Sequence, residues 1–209
     1  MKYIIMCGGN YHTNTPKHLR IFKNETIVAR TIRLLKENGV TDITISSNNQ
    51  IFDTFGLPVL HHENNYGDGG QWIEAFYPTD EPACYIFGDV IFSENAIKTI
   101  VNTETDSVEF FASAPPFHKY YTKNWAEPFA FKVADQNYFR ECIILCLNLA
   151  KRKAFKRGPI AWELWQVIKK TPINIIDYTN YTVINDWTTD CDTEEEYNDF
   201  MKKIKEYNI

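Results

Sequence analysis

The 209-residue sequence contains no apolar stretch near the roughly 20 residues needed to cross a bilayer. Its first apolar run, residues 1–6, is also too short for a signal peptide. Basic residues are in deficit: 22 Lys and Arg stand against 27 Asp and Glu, for a net charge of −5. Binding to nucleic acid or to an anionic membrane surface favours the opposite balance, so neither partner is expected. The five cysteines, Cys7, Cys84, Cys142, Cys146 and Cys191, lack the paired spacing of a metal site. They read as the reduced thiols of a cytoplasmic protein. No internal repeat or low-complexity linker interrupts the chain, and its length suits one α/β domain over residues 1–209. Monomer and homodimer are equally compatible with the sequence.

What is present alternates between two periodicities. Lys2–Met6 and Cys84–Phe87 are short continuous apolar runs, the pattern of strands buried on both faces. Asp42–Ser46, Pro58–Leu60, Val108–Ser113, Phe129–Val133, Ile173–Ile176 and Tyr181–Ile184 are further strand candidates. Glu25–Asn38 has one apolar face at helical spacing and stops at Gly39. Asp135–Ala150 has the clearest helical stripe, through Phe139, Cys142, Ile143, Cys146, Leu147 and Ala150. A short helix is expected over Asn95–Val101, another helix from Pro159 to Lys169, and a last one behind the capping box Thr193-Glu194-Glu195-Glu196. Strand, loop, helix and strand in that order form a βαβ unit. The fold class expected is α/β, a Rossmann-like three-layer domain with a mostly parallel central sheet.

The first strand ends in Cys7-Gly8-Gly9-Asn10 and the loop closes on Pro16-Lys17. Paired glycines after a strand let backbone N–H groups approach an anion, and a lysine at the loop end can neutralise phosphate. The loop matches neither the Walker A pattern nor the dinucleotide fingerprint. A second glycine-rich turn, Gly67-Asp68-Gly69-Gly70-Gln71, precedes a helical segment that Asp68 can cap and Pro78 closes. The strand after it ends in Gly88-Asp89. Carboxyl ends of parallel strands are where ligands bind in open α/β sheets, and a carboxylate there can hold a hard cation.

These three segments, together with Asp190-Cys191-Asp192-Thr193 near the end of the chain, resemble the nucleotidyltransferase superfamily that includes sugar-phosphate nucleotidylyltransferases and small cytidylyltransferases. The resemblance implies a nucleotide site at Cys7, Gly8, Gly9, Asn10, Lys17, Gly69, Gly70 and Asp89. Lys17 would act on the phosphates, and Mg²⁺ would be held by Asp89 and Asp192. No arginine lies between Gly8 and Lys17, where the family usually has one. Trp125-Ala126-Glu127-Pro128 resembles the strand that faces the acceptor, which assigns Lys119, Lys123 and Glu127 to that side. The basic run 151–158 reads as a solvated helix end, and Trp162 and Trp165 read as core.

The reaction implied is transfer of a nucleotide, CMP from CTP by preference, to a small phosphorylated acceptor with release of pyrophosphate. Surface-polysaccharide (capsule) or lipid precursor synthesis is the expected setting. A metal-dependent glycosyltransferase of related fold and a non-catalytic nucleotide-binding protein are the alternatives. The glycosyltransferase is disfavoured because Val90-Ile91 follow Asp89 where that class carries a second aspartate.

Overall fold

A computed structural model describes residues 1–8, 15–62, 76, 78–207 and 209. The turn 67–71 and most of the helical segment expected behind it lie outside the described residues. In chain order the strands are β1 (Lys2–Met6), β2 (Ile21–Phe22), β3 (Glu25–Thr26), β4 (Ile43–Ser47), β5 (Val59–His61), β6 (Ala83–Phe87), β7 (Val90–Ile91), β8 (Val108–Ser113), β9 (Glu127–Val133), β10 (Thr182–Val183) and β11 (Thr189–Asp190). Among the described residues the α-helices are α1 (Ile27–Glu37), α2 (Glu94–Asn102), α3 (Gln136–Lys151), α4 (Ala161–Lys169) and α5 (Glu194–Tyr207).

Seven strands form the central sheet in the order β10-β8-β9-β6-β1-β4-β5. The β6-β1-β4-β5 half is parallel throughout, while β9 runs antiparallel to both β6 and β8. This is the mostly parallel α/β sheet that the strand–helix alternation implies. The strands at its centre are apolar on both faces, and Ile4, Ile5, Ile45, Cys84 and Ile86 have no solvent exposure.

Successive side chains of a strand point to opposite faces, and two neighbours in β9 show what covers each one. The Phe131 ring lies 5.8 Å from the Phe139 ring of α3. The next residue, Lys132, sends its ammonium to the other side. There it donates to the carbonyls of Ile100, Val101 and Thr103 at 3.0, 2.9 and 2.7 Å, at the C-terminal end of α2. Helices α2 and α3 therefore sit on opposite faces, α1 packs with α2, and α4 packs with α3. The result is three layers. A cation at the C-terminal carbonyls of α2 also meets the negative end of its dipole.

The helix starts are set by side-chain caps. Thr26 accepts from Ala29 N at 3.2 Å, Ser93 from Ala96 N at 2.9 Å and Asp135 from Tyr138 N at 2.9 Å. Glu25 and Thr26, expected inside the first helix, instead pair with β2, and Thr26 becomes its cap. Gly39, at φ 82°, ends α1 in the left-handed region. Helix α4 begins at Ala161, two residues beyond Pro159, where Glu163 accepts from Ile160 N at 3.0 Å.

One strand expectation fails. Residues 173–176 form no strand because their surroundings supply a different partner. Gln166 Nε2 donates to the carbonyls of Pro172, at 2.7 Å, and Ile175, at 2.5 Å, and Ile175 faces solvent. Trp162 and Trp165 are buried, as are Cys142 and Cys146, and the basic residues of 151–158 are exposed. A second, smaller apolar cluster joins Phe22, Ile27, Ile91, Cys191, Phe200 and Ile204. It docks α5 against the segment that follows the first loop.

Candidate active site

Strands β1 and β6 are parallel neighbours, so their carboxyl ends lie on the same edge of the sheet. The chain after β6 stays close to β1, with Gly88 N donating to Met6 O at 2.9 Å. A Cβ on Gly88 would fall 2.6 Å from both Met6 O and Cys7 Sγ. Only glycine allows this approach, and it sets where Asp89 leaves the sheet.

Cys7 supports the loop from beneath. Its N–H donates to Ser46 O at 2.7 Å, its carbonyl accepts from Ser47 Oγ at 2.9 Å, and its thiol is fully buried. Burial, then the charge of Asp89, push that thiol well above its ordinary pKa, so it is held neutral. Gly8 is described; Gly9, Asn10, Gly69 and Gly70 lie outside the described residues.

Pro16 (φ −55°) leads into a short 3-10 turn, Lys17–Leu19. The Lys17 ammonium lies 2.5 Å from Asp89 Oδ2 and is also ion-paired with Asp192 Oδ1. Asp192 reaches this position through a two-stranded ribbon. β11 runs antiparallel to β7, with Asp190 opposite Val90 and Thr189 opposite Ile91, so the chain past β11 returns alongside Asp89. The expected capping box closes there: Glu196 N donates to Thr193 Oγ1 at 3.1 Å, and Asp192 N donates to Glu196 Oε2 at 2.8 Å. Arg20 donates to Cys191 O and approaches Glu194 at 3.8 Å, tying this end of the ribbon to the first loop.

Burial opposes the charge on Lys17, but Asp89 and then Asp192 outweigh it, and its pKa stands above the ordinary lysine value. Burial likewise opposes ionisation of Asp89. The charge of Lys17 prevails, joined in acid by that of protonated His18, and brings that carboxyl down to about 2. His18 is 2% exposed, and burial lowers its imidazole to about 4, so it is neutral at pH 7.

A second charge cluster adjoins the first. The Lys123 ammonium lies 2.5 Å from Glu127 Oε1 and 3.2 Å from Glu196 Oε2, and pairs with Asp190 Oδ1. The side chains of Lys123 and Glu127 are 4% and 1% exposed. Burial and the neighbouring Glu127 drive the Asp190 carboxyl well above its usual range. Asp190, Asp192 and Glu196 bring carboxylate oxygens within 4.8 Å of one another. Lys119 is exposed and its ammonium stands 4.6 Å from the Tyr120 ring centre.

Of the residues singled out in the sequence, the structure thus joins Lys17, Asp89 and Asp192 at one point, and Lys123 with Glu127 at a neighbouring one. The roles of Arg20 and His18 and the contact of Glu196 with Lys123 were not foreseen. Only the Thr-x-x-Glu spacing signalled Glu196.

No family model matches the sequence, and no curated protein does. Among solved structures the likeness spans nearly the whole chain. HddC from Yersinia pseudotuberculosis has 14% identity and a TM-score of 0.56, over 97% of this chain and 99% of that one. The CTP:phosphocholine cytidylyltransferase LicC from Streptococcus pneumoniae has 12% identity and a TM-score of 0.53, over 100% and 99%. The inositol-1-phosphate CTP transferase from T. maritima has 13% identity and a TM-score of 0.57, over 98% and 96%. The chain has the Rossmann-like fold of these nucleotidyltransferases.

Proposed function

We propose that this protein is a nucleotidyltransferase that moves a nucleotide, CMP from CTP by preference, onto a small phosphorylated acceptor. The observation that carries the reading is the convergence of Asp89 and Asp192 on the Lys17 ammonium at the carboxyl end of β1 and β6. The fold is that of enzymes described as acting with CTP on phosphocholine and on inositol 1-phosphate. It is equally that of HddC, solved in complex with GMP-PN, so the base preference rests on the sequence resemblance.

The donor set fits Mg²⁺. Two carboxylates already share one cation here, and a hard divalent ion prefers such oxygen ligands. Bound between Asp89 and Asp192, Mg²⁺ would neutralise phosphate charge. Lys17, released from the aspartates, would turn to the leaving phosphates. An acceptor phosphate oxygen then bonds to the α-phosphorus as the bond to the β-phosphate oxygen breaks, and pyrophosphate leaves. A phosphate dianion needs no general base, so the task of the protein is positioning and charge neutralisation. The nucleotide would lie over Cys7, Gly8 and Gly9, with Asn10, Gly69 and Gly70 completing its site. The acceptor would approach from the side of Lys119, with Glu127 and its neighbours behind it.

The five cysteines are free thiols, which suits a cytoplasmic setting, and among the described residues no helix is long and apolar enough to cross a membrane. A place in surface-polysaccharide or lipid precursor synthesis completes the proposal. The test is a pyrophosphate-release screen of four NTPs with phosphocholine, sugar phosphates and phosphoglutamine as acceptors. CTP with one acceptor class should release pyrophosphate in an Mg²⁺-dependent manner. Absence of release from every combination, or turnover of a nucleotide sugar instead, would remove the assignment.

A further inference from the structure

We propose that Lys123 is a positioning residue that fixes the loop carrying Asp192. The inference rests on the assignment of Asp192 to the metal. Lys123 would act through two carboxylates, each of which binds that loop directly. Glu127 meets the Lys123 ammonium with Oε1. With Oε2 it accepts the Thr189 hydroxyl at 3.0 Å and Asp190 N at 3.3 Å. Glu196 places Oε2 3.2 Å from the same ammonium, and that oxygen accepts Asp192 N at 2.8 Å and Thr193 N at 3.5 Å. The third partner, Asp190, lies in β11 itself. One carboxylate oxygen therefore stands between Lys123 and the backbone of Asp192.

The electrostatics give the cation a specific task. Glu127, Asp190 and Glu196 come from β9, β11 and the first turn of α5. Three carboxylates in so small a space repel one another, and taking them out of water costs more still. Lys123 compensates both effects at one point. Without it Glu196, the least buried of the three, can relieve the repulsion by turning to solvent. The Asp192 and Thr193 amides then lose their acceptor, and the Asp192 carboxylate is no longer held beside Asp89.

The same surroundings argue against a direct contact between Lys123 and an acceptor phosphate. The side chain is 4% exposed, and an approaching dianion would meet three carboxylates along with one ammonium. Partners that orient metal ligands from behind commonly change metal affinity by tenfold or more when removed.

Mn²⁺ binding by the full chain, followed by electron paramagnetic resonance, tests the inference. Lys17 occupies the space between the aspartates, so the measurement is made in Lys17→Met protein. Adding Lys123→Met should weaken Mn²⁺ binding about tenfold, Glu196→Gln should weaken it in the same direction, and Lys123→Arg should restore most of the affinity. If Lys123→Met does not fold, Glu196→Gln decides alone. Mn²⁺ affinity within twofold of the Lys17→Met background in Glu196→Gln, or in a folded Lys123→Met, overturns the inference. So does an unchanged Mn²⁺ affinity accompanied by lost binding of inorganic phosphate, which would assign Lys123 to a phosphate. Asp192→Asn is the control. No effect there, or no Mn²⁺ binding by Lys17→Met, overturns the metal assignment and this inference with it. A loss in Asp192→Asn but not in the other variants overturns the positioning role alone.

Discussion

Lys17 Nζ lies 2.5 Å from Asp89 Oδ2, and the same ammonium is paired with Asp192, 175 positions along the chain. The cation and the two carboxylates that define the site are therefore mutually satisfied before any substrate arrives. Under the proposed function, a divalent ion entering between the aspartates would have to displace Lys17, and a phosphate would then take the lysine up. Cation exchange of this kind would link metal entry to nucleotide entry in the proposed reaction.

Lys17→Ala should lower kcat by about 10²-fold or more, because the contact proposed for it would strengthen as charge builds on the leaving group. In the free protein the same substitution should tighten Mn²⁺ binding, since the internal competitor is gone. Calorimetry with Mn²⁺ and a pyrophosphate-release assay check the two halves. Wild-type kcat in the variant would exclude the catalytic role.

Asp89→Asn and Asp192→Asn should each reduce turnover by about 10²-fold or more while circular dichroism shows an intact fold. The two single losses should be far from additive in the double variant if, as proposed, both ligands serve one ion. Near-normal activity of either variant at limiting Mg²⁺ would remove that residue from the ligand set.

His18 yields a pH dependence of stability with a definite sign. Its folded pKa is lowered from 6.5 to about 4, so between these values the unfolded chain binds the extra proton. The contribution of the neutral buried ring is complete above pH 6.5 and is lost as pH falls towards 4. It amounts to about 3 kcal/mol at most. Urea unfolding at pH 7 and pH 4.5 should show the loss in the wild type and a smaller one in His18→Gln. Asp89 adds a second loss further into acid, between pH 3.8 and about 2, because its folded pKa is depressed. Equal slopes for wild type and variant between pH 7 and 4.5 would contradict the assignment to His18.

Gly88→Ala should cost about 1–3 kcal/mol of stability, since the new methyl would sit 2.6 Å from a backbone oxygen and a buried thiol that have little room to yield. Activity should fall as well, because the strain is relieved by moving the strand end that carries Asp89. Thermal melts and turnover of the same preparation report both. An unchanged melting temperature would show that β1 and β6 can part here without cost.

Much of the scaffold follows from local pattern. The apolar runs of β1 and β6, the helical stripe of α3, the stop at Gly39 and the Thr193–Glu196 cap all depend on neighbours within a few residues, and each is found at the place the sequence indicates. The β strand expected at 173–176 is absent because its carbonyls are taken by a side chain, Gln166, from another element. Lysines show the limit most clearly. The sequence marks Lys17 for the phosphates and Lys123 for the acceptor, gives Lys132 no task, and shows the partners of none of them. In the fold one bridges two aspartates, one is enclosed by three carboxylates, and one caps the end of α2. Sequence periodicity determined which segments become strands and helices, since that choice is made by burial along one element. Tertiary structure alone decided what each charge does, because desolvation and Coulomb energies depend on distances between residues that the chain order leaves far apart.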